Sequence, residues 1–146
     1  MKDQKFFSTA LKKALKEKDS LRVSVLRLLL TALHNEEIRL LRPLKEEEIN
    51  SLIQKEVKKR QEAIDLYKRG GRLELAEKEA QEKEILASFL PAPVKEEKIV
   101  ESIKEAREKV GDNFGQIMGL VMAKWRGKVE GERAASLVKK VLAKGA

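Results

Sequence analysis

Cysteine is absent from this sequence, which removes disulfides, thiolate nucleophiles and cysteine-based zinc sites from the repertoire. Aromatic residues are scarce at 4%, so few rings are available to stack on single-stranded bases. No apolar run approaches the length of a membrane span, and the opening residues, MKDQKFFSTALKK, lack the apolar core of a signal peptide. The expectation is therefore a cytoplasmic protein with no membrane association. No GxxxxGK[ST] or GxGxxG pattern occurs, so a dedicated phosphate-cradling nucleotide loop is missing as well. No segment alternates with period 2 and no unit of 20 to 50 residues recurs, which argues against sheets and solenoids.

What is present is charge and helical periodicity. Charged residues make up 38% of the 146, with 32 Lys and Arg against 24 Asp and Glu, for a net charge of +8. Such a balance favours polyanionic partners, although it is also common on solvated helices. The length suffices to bury a core from side chains alone.

Lys2 to about Lys18 places Phe6, Phe7, Ala10, Leu11, Ala14 and Leu15 on one helical face, with lysines on the other. Asp19 and Ser20 can cap a second helix from Leu21 to about Leu41, which Pro43 stops. Its LRVSVLRLLLTAL stretch is apolar on most sides, as expected of a helix at a bundle centre. Lys45 to Arg69 reads as a third helix, with Glu46, Glu47 and Glu48 at its positive end and Ile49, Leu52, Ile53, Val57, Ile64 and Tyr67 as its stripe. Gly70 and Gly71 end it. A fourth helix, Arg72 to Leu90, uses Leu73, Leu75, Ala76, Ala80, Ile85, Leu86 and Phe89, before Pro91-Ala92-Pro93 blocks continuation.

The two prolines are the best candidate boundary between an N-terminal helical domain, 1–91, and a smaller C-terminal one, 92–146. The latter reads as three helices: Lys95 to Val110, Phe114 to Trp125 and Glu132 to Lys144. The expected fold class is all-α, about four helices followed by three.

Catalytic chemistry finds little support. His34, the single histidine, stands near Glu36 and Glu37, but a metal needs three or four convergent donors and this spacing supplies at most two. No metal and no cofactor are assigned. No serine sits in a strand-to-helix elbow, and the carboxylates are spread over helix faces, where pairing with Lys or Arg explains them. No catalytic residue is assigned.

Binding is better supported. Residues 91–110 carry five basic and five acidic side chains, whereas 111–146 carry seven basic and three acidic. Lys124, Arg126 and Lys128 surround Gly127, which permits close backbone approach to a phosphate, and Gly131 opens the last helix with its free N–H groups outward. With Lys139 and Lys140 these form a candidate nucleic-acid-binding set. The same glycines equally suit a plain turn between solvated lysines. Lys58-Lys59-Arg60 is read as a solvated face, partly neutralised by Glu56, Glu62 and Asp65. Met118 and Met122 are read as core, or else as an adaptable groove for a partner helix.

Several separated segments resemble one family in order: Lys18-Asp19 with Leu21 to Arg27, Asn35-Glu36, Val57 to Arg60, Tyr67 through Arg72, Glu84-Ile85-Leu86 through Pro91, and Gly115 to Met122 followed by Gly127 to Arg133. Together they resemble the YqeY-like proteins over essentially the whole chain. The C-terminal half of that family is related to the tail domain of the B subunit of the tRNA-dependent amidotransferase, which touches tRNA away from the chemistry. The resemblance implies a helical domain followed by a small tail-like domain. Its implied partners are tRNA and an amidotransferase or other protein. A label of carbon-nitrogen ligase with glutamine as amido donor would follow by homology alone, since the kinase-like cradle and ammonia channel have no counterpart here. The leading expectation is a non-catalytic RNA-binding or accessory protein; the alternatives are a protein-protein adaptor and an amidase or ligase in its own right. One departure stands out: Glu130 replaces the family's usual Asp before the loop glycine, a poorer cap for the last helix.

Overall fold

The computed structural model describes residues 2–144; positions 1, 145 and 146, the outer ends of the two expected domains, lie outside the described residues. Seven α-helices and no strand are found among the described residues. They are α1 (Gln4–Lys16), α2 (Ser20–Leu40), α3 (Glu46–Arg69), α4 (Leu73–Ala87), α5 (Glu96–Val110), α6 (Phe114–Trp125) and α7 (Gly131–Ala143). The chain divides into two compact units, Met1–Pro91 and Ala92–Ala146, each with its own apolar cluster.

In the first unit α2 is central: it packs on α1, α3 and α4, and buries Val23, Val25, Leu26, Leu29 and Leu33. Asp3 and Asp19 cap α1 and α2 by accepting from the backbone N–H groups of Phe6 and Arg22 at 2.9 and 3.1 Å. The exit from α1 is a Schellman motif, in which the Lys18 and Asp19 amides donate to the carbonyls of Leu15 and Ala14. Leu41 and Gly71 close α2 and α3 by the same pattern. The motif requires a left-handed residue, and Lys18, Leu41 and Gly71 have φ of 57°, 58° and 73°.

Between α2 and α3, two carboxylates organise the loop. Glu37 accepts from the Leu44 amide at 2.7 Å and from the Gln4 side chain. Glu48 accepts from the Lys45 amide at 3.0 Å and takes a two-pronged bond from Arg42 at 2.8 and 2.9 Å. The Arg42 guanidinium and then the Lys45 amide hold the Glu48 carboxyl at a pKa of about 2. At the base of the unit, Lys2 Nζ donates to Asn50 Oδ1 at 2.6 Å and to the Phe89 carbonyl. Burial lowers its pKa, with Glu46 opposing.

Several sequence expectations need correction here. The fourth helix ends at Ala87 rather than Leu90, because Phe89 and Leu90 turn back onto the carbonyls of Leu86 and Ala87. Phe89 still packs into the core, edge-on to Phe7 at 5.3 Å between centroids. Phe6, Leu15, Leu73 and Leu75, expected inward, are exposed. For Leu73 and Leu75 the reason is geometric: they begin α4, beside the turn of an α3–α4 hairpin whose second helix meets the main cluster at its far end, through Ile85 and Leu86.

Lys58-Lys59-Arg60 is not uniformly solvated either. Arg60, with its side chain 12% exposed, bridges across the hairpin to Glu79 at 3.1 Å and to Glu82, a buried carboxylate. Nine residues of α3 separate it from the Gly70-Gly71 turn, so the antiparallel return of α4 brings glutamates from far along the chain opposite it.

The second unit is built from α5, α6 and α7, each packed on the other two. Ile99, Ile103 and Ala106 from α5 meet Ile117 and Val121 from α6 and Ala134, Leu137, Val138 and Val141 from α7. Asn113 caps α6 by accepting from the Gln116 amide at 2.9 Å. Met118 and Met122 are half-buried against this cluster, in line with their reading as core.

Candidate nucleic-acid interface

The segment joining α6 to α7 is short and tightly folded. The Lys128 and Val129 amides donate to the Trp125 carbonyl at 2.8 and 3.0 Å. Gly127 takes a φ of 78° and is buried, while Val129 drops into the core at 2% exposure. Gly127 is thus a structural turn residue pointing inward, and the exposed positions on either side are Arg126 and Lys128. Trp125 is half-buried, and its indole N–H donates to Ser102 Oγ at 2.6 Å. Ser102 itself lies against the carbonyls of Lys98 and Ile99 at 2.9 and 3.0 Å. Trp125 therefore fastens the end of α6 to α5. The contact makes Trp125 an anchor of the core at that joint.

Lys124, Arg126, Lys128, Lys139 and Lys140 are all exposed, and among the described residues none of the five stands in an ion pair. They do not form a single cluster. Lys124 Nζ lies over the Trp125 ring at 5.3 Å, at the end of α6. Lys139 Nζ lies over Phe114 at 5.9 Å, at its beginning. These rings stand at the first and last residues of a 12-residue helix, about 16 Å apart along its axis. Lys124, Arg126 and Lys128 gather at one end, and Lys139 with its neighbour Lys140 at the other.

Gly131 is the first residue of α7 and is exposed, with nothing within 4 Å of where a Cβ would stand. Glu130 occupies the cap position without a side-chain capping bond, as its extra methylene relative to Asp leads one to expect. Glu130 and Glu132 bring negative charge to this end of α7, so attraction for a phosphate there rests on Arg126 and Lys128.

Nothing resembling a catalytic constellation is assembled among the described residues. Glu36 is engaged by Arg39 and Glu37 by the Leu44 amide, so the carboxylates near His34 already have partners. No group of three or more His, Asp or Glu side chains is placed to hold a metal ion among the described residues. Nor is any described helix long and apolar enough to cross a membrane.

Sequence reasoning missed a more basic region than the one it chose. Residues 1–33 contain eight Lys and Arg against three acidic residues. Two of those acids are consumed as helix caps. A count over that window alone would have found it.

No curated protein matches the sequence. The family model of the Yqey-like proteins matches residues 4–142, spanning all seven helices but for the last residue of α7. By that match the chain belongs to the YqeY-like family.

Proposed function

We propose that this protein is a non-catalytic RNA-binding accessory factor that contacts structured tRNA through its C-terminal unit. The observation that carries the reading is a set of uncommitted cations: Lys124, Arg126, Lys128, Lys139 and Lys140 are exposed and outside any ion pair among the described residues. Phosphate oxygens are the natural counter-charge, and two basic groups at opposite ends of α6 suit a folded RNA that offers more than one stretch of backbone. The Gly127 turn positions Arg126 and Lys128, and Gly131 leaves the start of α7 open beside them. Relatedness to the amidotransferase tail makes tRNA the first RNA to test and an amidotransferase the first associated enzyme.

The test is tRNA binding by the purified chain as a function of salt, beside a variant carrying Lys124→Ala, Arg126→Ala and Lys128→Ala. The expected result is saturable binding that weakens as salt rises, with the log–log slope reduced by about 2–3 in the triple variant. Absence of binding at low salt overturns the RNA reading; binding indifferent to the three changes overturns this site. A second reading, a protein-protein adaptor, is favoured by exposed leucines on α1 and α2.

A further inference from the structure

We infer that the elbow between α1 and α2 is a docking groove for an acidic amphipathic helix of a protein partner. The groove, about 630 Å³, is lined by Leu15, Lys18, Val23, Ser24, Arg27 and Leu28, with Ser20 at its rim. Its floor is aliphatic, its edges carry two cations and two hydroxyls, and no carboxylate lines it. Leu15 and Leu28 are 46% and 59% exposed, although Leu11 of α1 and Leu26, Leu29 and Leu33 of α2 pack inward. On α2, Ser20, Ser24, Arg27 and Leu28 follow one another at helical spacing, so they form a continuous outward stripe rather than scattered surface positions.

Charge selects the occupant. The three acidic residues among positions 1–33 are all engaged: Asp3 and Asp19 cap helices, and Glu17 stands 4.0 Å from Lys13. Lys5, Lys12, Lys16, Lys18 and Arg27 are exposed and outside any ion pair among the described residues, so their charge has little internal compensation. An anionic partner gains from that field. The aliphatic floor discriminates between anionic partners. RNA would bring phosphates to Lys18 and Arg27, but it would find no ring on which to stack a base and would leave Leu15 and Leu28 against water. A helix with leucines on one face and glutamates on its flanks satisfies both features, placing apolar anchors between Leu15, Val23 and Leu28 and carboxylates on Lys18 and Arg27. The site is separate from the residues proposed for RNA and stands or falls independently of them.

The test uses the full chain and a fluorescein-labelled helical peptide of about 16 residues with leucines at i, i+4, i+7 and i+11 and glutamates on the flanks. Anisotropy at about 0.15 M salt reads binding, and amide chemical shifts of the isotope-labelled chain locate it. The expected outcome is saturable binding with shifts concentrated in residues 15–28. Affinity should fall about tenfold or more with Arg27→Glu plus Leu28→Asp, or with serines replacing the peptide leucines, equivalent to at least about 1.4 kcal/mol. Both substituted side chains are exposed. Should that variant lose helicity, Ser24→Glu, also exposed, serves as the second probe of the same stripe. The Lys124, Arg126 and Lys128 variant should bind the peptide unchanged. No binding, binding unaffected by the α2 substitutions, or equal binding of the serine peptide overturns the inference. Loss of tRNA binding in the α2 variant, with peptide binding intact, would assign the groove to RNA instead.

Discussion

Lys18 and Leu41 occupy left-handed positions that glycine ordinarily takes, and the family of backbone bonds around them shows why they are tolerated: each closes a helix by satisfying two terminal carbonyls. The left-handed conformation costs a side-chain-bearing residue about 1–2 kcal/mol, partly offset because glycine loses more freedom on folding. Leu41 is also 89% exposed, so it contributes little packing in return. Leu41→Gly is expected to stabilise the protein by about 0.5–1 kcal/mol, read as a rise in denaturation midpoint without a change in slope. Glu48 gives a pH-dependent prediction at the same scale. Its carboxyl titrates at about 2 when folded against an ordinary 4.5, so its contribution is complete above 4.5 and lost as pH falls through 2. The stability gap between the native chain and Glu48→Gln should stay constant near neutrality and close across that acid window in urea titrations.

At the scale of helices, the α3–α4 hairpin depends on a polar clasp as well as on apolar contact. Removing Arg60 leaves Glu79 and Glu82 facing each other at 24% and 10% side-chain exposure with no cation between them. Arg60→Ala is expected to cost about 2–4 kcal/mol, less than a fully buried pair because Glu79 retains some solvent. Adding Glu79→Gln and Glu82→Gln should recover part of that loss, and a urea-denaturation cycle over the variants checks it. In the second unit the weak point is the start of α7, where Glu130 makes no side-chain cap. Glu130→Asp is expected to stabilise this unit by about 0.5–1 kcal/mol, and an unchanged thermal midpoint would count against it.

For the molecule as a whole, the placement of two residues supplies a direct measurement. Trp125, the single tryptophan, lies in the second unit, and Tyr67, the single tyrosine, in the first. We propose that the two units are independently folding domains, since each has its own apolar cluster. Tryptophan emission should then follow the second unit alone, while far-ultraviolet circular dichroism follows all seven helices. The two denaturation curves are expected not to coincide. Coincident transitions would mean that the units fold as one.

The amino-acid sequence by itself determined the helical class, the approximate bounds of the helices and the family. Those properties follow from 3.6-residue periodicity, capping residues and breakers, all encoded within about 20 neighbouring positions. Phe114 to Trp125 was legible to the residue because Asn113 caps one end and glycine follows the other. What only the tertiary structure decided is which side of each residue faces a neighbour. Arg60 reads as solvated until the return of α4 brings Glu79 and Glu82 across from it, and no local pattern foretells that Ser102 of α5 accepts the Trp125 N–H. Leu15 and Leu28 belong by pattern to apolar stripes, but helix packing covers only part of a wide stripe. Lys124 and Lys139 were grouped by charge; the antiparallel run of α6 and α7 sets them over rings at opposite ends of one helix. Burial and pairing are properties of contacts between distant segments, which local periodicity does not contain.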